Sequence, residues 1–391
     1  MTTLRPGRPE EAGMSAERVE NLRRLGANWV EGGTHLSVVA LVARRGIVVL
    51  HDAWGKQGPE PEAPPITTDA IFPLASMSKV IAATCAMLLV EDGLLGLNRP
   101  VQEYLPEFGG EGKQDVLVHH LLTHTSGLRE ADYADHIREE TGPLRRDLAV
   151  TQNTPADDYD PIVAKILELA AEMPLSHRPG EMMSYTPRVG YALLCEILRR
   201  LSGESIARFA QERVFLPLGM KDTSFRINDA ERGRLVRRQP HPLFDGFHAS
   251  LGRRIAGYGS ATSTALDIAK LGQMYLNLGE YAGNRVLSPI TVREMTRNQV
   301  PGIPAEYLRR SVAEASWGYG WGVMGSEKWE GTPSLLSSDA FWHTGGTGVA
   351  LYVDPRDELV CVFLPIANGG PFEMPHREDL FANAVVAAIE D

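Results

Sequence analysis

Two residues one helical turn apart, Ser76 and Lys79, set a hydroxyl beside an amine in an otherwise apolar stretch. Positions three apart on a helix share a face, so the two side chains can meet. A serine hydroxyl is a weak nucleophile until a neighbouring base takes its proton. A lysine becomes such a base when burial makes its charged form costly, and shifts of about 3–5 units accompany full burial. Lowering an ammonium from about 10.4 to near 7 corresponds to about 4 kcal/mol of differential interaction. The start of a helix adds unpaired backbone N–H groups and a positive dipole end, both suited to a developing oxyanion. Ser-x-x-Lys is a short pattern, but it occurs once in this chain, at the mouth of a buried helix. Taken alone it is either a nucleophile with its base or a chance match.

The stretch that must place these groups runs from Phe72 to Gly93. Between Ser78 and Val90 it is apolar on nearly every side and rich in the strong helix formers Ala, Met and Leu. A helix apolar all round is a buried one. Asp92-Gly93 supplies its exit, glycine being favoured just past a helix end. Upstream, residues 16–32 carry Val19, Leu22, Leu25 and Trp29 on one side, the pattern of a surface helix. Leu36 to Val42 and Ile47 to His51 are apolar and β-branched, and read as a hairpin across Ala43 to Gly46. From Arg129 to about Gln239 the pattern is mostly helical and charged, with clear periodicity over Pro161 to Ala171 and Val189 to Leu201. Ala265 to Leu276, Pro289 to Asn298 and Glu378 to Ile389 read as further helices. Val349 to Val353 and Leu359 to Leu364 form a strand pair around Asp354 to Glu358. Strands at both ends with helices between predict an α+β fold, one antiparallel sheet built from N- and C-terminal parts and flanked by helices. The expected division is a discontinuous sheet domain, 1–110 with 250–391, and a mostly helical insertion, 111–249, forming one wall of the site.

Composition narrows the function. The 391 residues, 43% hydrophobic and 23% charged, are enough for two such parts. A net charge of −11 argues against nucleic acid or an anionic membrane as partner. The chain starts without an apolar leader, and no run reaches about 18 apolar residues, so a cytoplasmic protein without membrane contact is expected. Cys85, Cys195 and Cys361 lie far apart in apolar runs and read as reduced core residues. His119, His120 and His124 have metal-like spacing, but no acidic or cysteine partner stands in register, and zinc is not expected. Asp157, Asp158 and Asp160 read as a solvated loop.

Three further stretches bear on chemistry. After the turn Pro179-Gly180, the run Ser184 to Pro187 enters the Val189 helix, with Thr186 as N-cap and Pro187 at the first helical position. Tyr185 stands just ahead of that cap. Phe341 to Gly346 precedes the last strand pair, and its glycines either admit a substrate to an edge backbone or mark a bulge. Gly318 to Gly322 lacks the acidic ribose partner of a dinucleotide loop, and there is no Gly-x-Ser-x-Gly elbow.

Together these stretches resemble the serine β-lactamase and penicillin-binding-protein superfamily, most closely its class C-like branch. That branch includes class C β-lactamases, D-amino-acid-specific peptidases and the family VIII carboxylesterases. The resemblance rests on Ser76 to Lys79, the segment His119 to Leu128, Pro179-Gly180 with Tyr185, Pro217 to Phe225, the Gly257-to-Asp267 stretch and His343 to Gly345. These pieces occur in family order over most of the chain. The resemblance implies a β-lactamase/transpeptidase-like fold with Ser76 as acylated nucleophile, Lys79 as its base and Tyr185 sharing proton transfer. It also implies an oxyanion hole from the N–H groups of Ser76 and Gly346, substrate contacts from Trp342, His343, Thr344 and Gly345, and no metal or other cofactor. Tyr133 and Tyr159 are further guesses for the pocket lining.

The chain departs from the family pattern twice. The usual Tyr-x-Asn ends here in Pro187, and the box before the last strands begins with His343 where lactamases and peptidoglycan enzymes often have lysine. An unperturbed histidine, with a pKa of about 6.5, is mostly neutral at pH 7 and gives little charge for a substrate carboxylate. Both departures favour esters over β-lactams or cell-wall peptides. The expected function is a serine carboxylesterase closest to family VIII, cleaving short- to medium-chain esters through an acyl-enzyme on Ser76, with acyltransferase activity as an extension. The alternatives are a D-amino-acid-specific peptidase or amidase, a β-lactamase, and a non-catalytic binding homologue.

Overall fold

The computed structural model describes residues 2–147, 161–225, 229–239, 261–307, 310–326, 332–367 and 377–391. Asp157, Asp158, Tyr159, Asp160 and the first residues of the Gly257-to-Asp267 stretch lie outside the described residues. Among the described residues the main sheet has strands β1 (Arg5–Pro6), β2 (His35–Arg44), β3 (Ile47–Gly55), β4 (Gly322–Val323), β5 (Phe341–Thr344), β6 (Ala350–Asp354) and β7 (Leu359–Ala367). Their spatial order is β1-β3-β2-β7-β6-β5-β4. Only the short β1–β3 pair is parallel. The N-terminal hairpin and the C-terminal strands join along β2 and β7, from Val38 opposite Pro365 to Arg44 opposite Leu359. One sheet is thus assembled from both ends of the chain, as the sequence predicts. The first hairpin closes more tightly than the apolar runs suggest, because Arg45 and Gly46 both take positive φ (54° and 75°), the two-residue geometry that matches strand twist.

The long helices are α1 (Ala16–Glu31), α2 (Ser78–Glu91), α3 (Ala134–Asp147), α4 (Pro161–Glu172), α5 (Val189–Ser202), α6 (Ala265–Leu276) and α7 (Glu378–Val386). None among the described residues is long and apolar enough to cross a membrane. β2 is apolar at nearly every position because both faces of the sheet are covered. Val38, Ala40 and Val42 pack toward α1 and α7 through Val19, Leu22, Phe381 and Val385. Val39, Leu41 and Ala43 pack on the opposite side, in the core that contains α2, α5 and α6. Helix α2 lies in the middle of that core, with twelve of its fourteen residues buried, from Ser78 through Leu89. Burying one large aliphatic side chain contributes about 1.5–3 kcal/mol, so this helix is fixed by packing rather than by propensity. A smaller sheet pairs Met183–Ser184 in parallel with Ala305–Tyr307, which in turn pairs with Arg310–Val312. It ties the segment bearing Tyr185 to the C-terminal half.

Helix α6 reaches the sheet through Gly272, where an added Cβ would lie 2.9 Å from Val360 Cγ1 and 3.0 Å from Leu351 Cδ1. Gly272→Val therefore forces the helix off the sheet. It is expected to destabilise the fold by about 1–3 kcal/mol. The measurement is a lower urea midpoint at an unchanged m value.

Candidate active site

The nucleophile candidate stands on a strained turn. Ala75–Met77 form a 3-10 turn that runs into α2 at Ser78, so Ser76 lies just ahead of the α-helix rather than inside its first turn. Ala75 takes φ 48°, a left-handed conformation that costs a residue with a β-carbon about 1–3 kcal/mol. The first donor bonded within the turn is Met77 N–H, to Leu74 O at 3.1 Å, which leaves the Ser76 N–H ahead of it without a helical acceptor. The end of β5 comes down on this turn at Gly345, where a Cβ would fall 2.4 Å from Leu74 O and 3.1 Å from Ala75 Cβ. Only glycine permits that approach. Nothing lies within 4 Å of the Cβ direction of the next residue, Gly346, so its backbone faces open space.

Lys79 is 1% exposed, and its Nζ lies 3.1 Å from Ser76 Oγ. Burial pulls its pKa down to about 7, with Glu130 and then Cys195 acting in the opposite direction. The same nitrogen lies 5.5 Å from the Tyr185 ring centroid and 5.6 Å from that of Tyr191. The Tyr185 hydroxyl is buried and makes no ordinary hydrogen bond. Burial drives its pKa well above the usual phenol value, reinforced by Tyr307 and opposed by the facing Ser76 hydroxyl. Near neutral pH the amine can therefore exist as a base while the phenol keeps its proton.

The Tyr185 segment is held residue by residue. Ser184 N–H donates to His124 O at 2.9 Å, Tyr185 N–H to Glu306 O at 3.0 Å, and Thr186 N–H to His124 Nδ1 at 3.3 Å. The expected capping by Thr186 does not occur. Arg188 is the N-cap of α5 and its own side chain makes no capping bond. The Thr186 hydroxyl instead lies 3.1 Å from His124 Nδ1. The carboxylate of Glu130 caps α5 from another part of the chain, accepting from the N–H groups of Arg188 (2.8 Å) and Val189 (3.1 Å).

Two histidines complete the cluster. His343 Nδ1 is 2.7 Å from the Thr344 carbonyl, which can only accept, so Nδ1 carries the proton and Nε2 is a bare acceptor. Burial pushes the His343 pKa down to about 3, helped by the charge of Lys79, so the ring is neutral. His124 accepts at Nδ1 and therefore carries its proton on Nε2, and both Nε2 atoms are buried without a partner. Trp317 lies between the rings, 5.4 Å from His124 and 5.7 Å from His343. His119 and His120 bond elsewhere, to Tyr319 Oη and the Leu117 N–H. The structure thus brings Ser76, Lys79, Tyr185 and His343 together. Thr344 sits half-buried beside them, with its hydroxyl bonded to Tyr307. Trp342 packs in the core shared with α1 and α7, with its ring 6.4 Å from that of Trp317. Tyr133 packs, partly buried, against the core that contains α2. Glu130, Trp317 and His124 also border this cluster, and of these only His124, within the His119-to-Leu128 segment, falls in a stretch that carries the resemblance. A buried carboxylate amid charged residues has no spacing signal of its own.

The Beta-lactamase family model matches residues 22–388. Penicillin-binding protein 4 of Amycolatopsis lactamdurans is 30% identical over 318 residues, covering 78% of this chain and 74% of that protein. Among solved structures, a penicillin-binding protein homologue from Caulobacter crescentus superposes with TM-score 0.74 at 21% identity, covering 96% and 99% of the two chains. A family VIII carboxylesterase superposes with TM-score 0.72 at 21% identity, covering 96% and 98%. At such identities the two structures establish a shared fold.

Keeping Lys79 dry costs stability. The folded chain holds the amine neutral above about pH 7, whereas an unfolded chain keeps it charged to about 10.4. The unfolded state therefore binds the extra proton between those limits, and stability rises with pH across them. Lys79→Met is expected to remove activity yet stabilise the fold by on the order of 3 kcal/mol at pH 7. Thermal midpoints should show this advantage in full at pH 7 and below, shrinking toward pH 10.

Proposed function

The chain belongs to the Beta-lactamase family and is a serine hydrolase of the β-lactamase and penicillin-binding-protein superfamily; from that premise we propose that it is a carboxylesterase working through an acyl-enzyme on Ser76. In this reading Lys79 takes the Ser76 proton as Oγ attacks the ester carbonyl. The N–H groups of Ser76 and Gly346 hold the oxyanion, each such donor being worth roughly 3 kcal/mol. As the tetrahedral centre collapses, the C–O bond to the alcohol breaks, and the leaving oxygen takes the proton from Lys79 by way of the Tyr185 hydroxyl. Water then attacks the acyl carbonyl and gives its proton to the same pair. The acid leaves, and Ser76 regains its hydrogen.

The observation that supports esters is the neutral state of His343. Where related enzymes place a lysine, this chain offers an uncharged ring with a bare Nε2, so a substrate carboxylate gains no ion pair there. Pro187 likewise has no side-chain amide for an acyl-amide group. A second reading, hydrolysis of D-amino-acid peptides or amides, is favoured by the 30% identity to a protein named as a penicillin-binding protein.

One comparison separates the two. Purified protein is given p-nitrophenyl butyrate, D-alanyl p-nitroanilide and nitrocefin, and kcat/KM is measured for each. The ester should turn over fastest, with kcat/KM rising through an apparent pKa near 7 as Lys79 loses its proton, and Ser76→Ala should lose this turnover while keeping its thermal midpoint. Faster anilide or nitrocefin turnover would transfer the assignment to the peptidase or lactamase branch.

A further inference from the structure

We propose that Glu130 is a positioning residue of the acyl-transfer site, a buried carboxylate that braces the Tyr185 segment from behind and places a negative charge within reach of the Lys79 amine. The inference rests on the serine-hydrolase reading and adds to it a residue that neither touches substrate nor falls in any motif described above.

Glu130 is 2% exposed and opens the 3-10 turn Glu130–Tyr133. One carboxylate oxygen takes the N–H groups of Arg188 and Val189, and the other is paired with Arg188 Nε. Those two N–H groups open a fourteen-residue helix, where the dipole is positive and an anion is favoured. Pro187 explains the arrangement. It has no N–H to give, so the segment must be gripped at the first donors beyond it. On the upstream side, Ser184, Tyr185 and Thr186 are held by His124 and Glu306. Every backbone N–H from 184 to 189 is thereby engaged, and Tyr185 is suspended between two fixed ends. Both Glu130 oxygens are occupied by these contacts, so the carboxylate is not a base for the hydrolytic water. It acts through Lys79 and Tyr185.

The electrostatic part is equally local. Among the described residues, the groups facing Lys79 include Ser76, Tyr185, Tyr191 and Cys195 of α5, His124, His343 of β5, and the carboxylate Glu130. It is the largest influence opposing the burial of the amine.

The test follows the rate at which a fluorophosphonate probe labels Ser76, as a function of pH, in wild type, Glu130→Gln, Glu130→Asp and Arg188→Met. Gln keeps an acceptor for the helix N–H groups but removes the charge, so the rising limb should move to lower pH by about one unit, with a lower plateau. Asp keeps the charge on a shorter stem, so its limb should stay at the wild-type position while its plateau drops. Removing the Arg188 guanidinium leaves Glu130 less neutralised, and the limb should move to higher pH. A purely structural role would lower thermal midpoints and leave all limbs in place, which would overturn the proposal. So would a downward or absent shift in Arg188→Met, which decides the matter if the Gln variant does not fold. Failure of the wild type to be labelled at all would instead remove the nucleophile assignment on which the proposal rests.

Discussion

A lysine ammonium and a protein interior repel each other, and the arrangement of this molecule follows from forcing them together. Desolvation turns the weakest feature of α2, a cation in its first turn, into an amine that can accept a proton near neutral pH. The cost is bearable because the rest of the helix is apolar and buried in the core. Ala75 adds a second strained element directly before Ser76. Strain and an unfavourable burial thus stand side by side, and both are over-determined by the same packing.

The other half of the site is a matter of bracing. Tyr185 sits on an irregular segment, and irregular backbone holds position only when its polar groups are bound. Here the partners come from two distant stretches, around 124–130 and 304–306, and the small sheet joins the second of them to the segment. His124 serves twice, through its carbonyl and its ring, and its positive φ of 59° is what lets one residue face the segment with both groups. Pro187 brings no side-chain amide to the segment and restricts its backbone, so the geometry of the tyrosine is kept by the partners of its neighbours.

Electrostatics decides what such a site can hold. The cluster around Lys79 contains two histidines that are both neutral, each with its tautomer set by a backbone partner. Because both rings are neutral they spare the amine a further lowering: a cation there would repel an ammonium and weaken Lys79 as a base. Two uncharged rings offer a substrate carboxylate no ion pair.

How much of this was legible in the chain depended on the range of the interaction. The apolar helix from Ser78, the Ser76–Lys79 spacing, the two-ended sheet and most helices could be read because they rest on local periodicity and neighbouring residues. The helix entry at 186–189 departs from its local signals, because Thr186 and Pro187 satisfy the local rules for a cap while the actual cap is a carboxylate 58 residues away. Trp342, which the resemblance implies as a substrate contact, packs in the core shared with α1 and α7 and meets Trp317 at 6.4 Å, a placement that no single stretch displays. The sequence by itself determined which groups could react, because spacing along one helix brings a hydroxyl and an amine together. Only the tertiary structure decided whether they do so out of water, beside a phenol and under a charge, because dryness and distance belong to packed elements rather than to any single stretch.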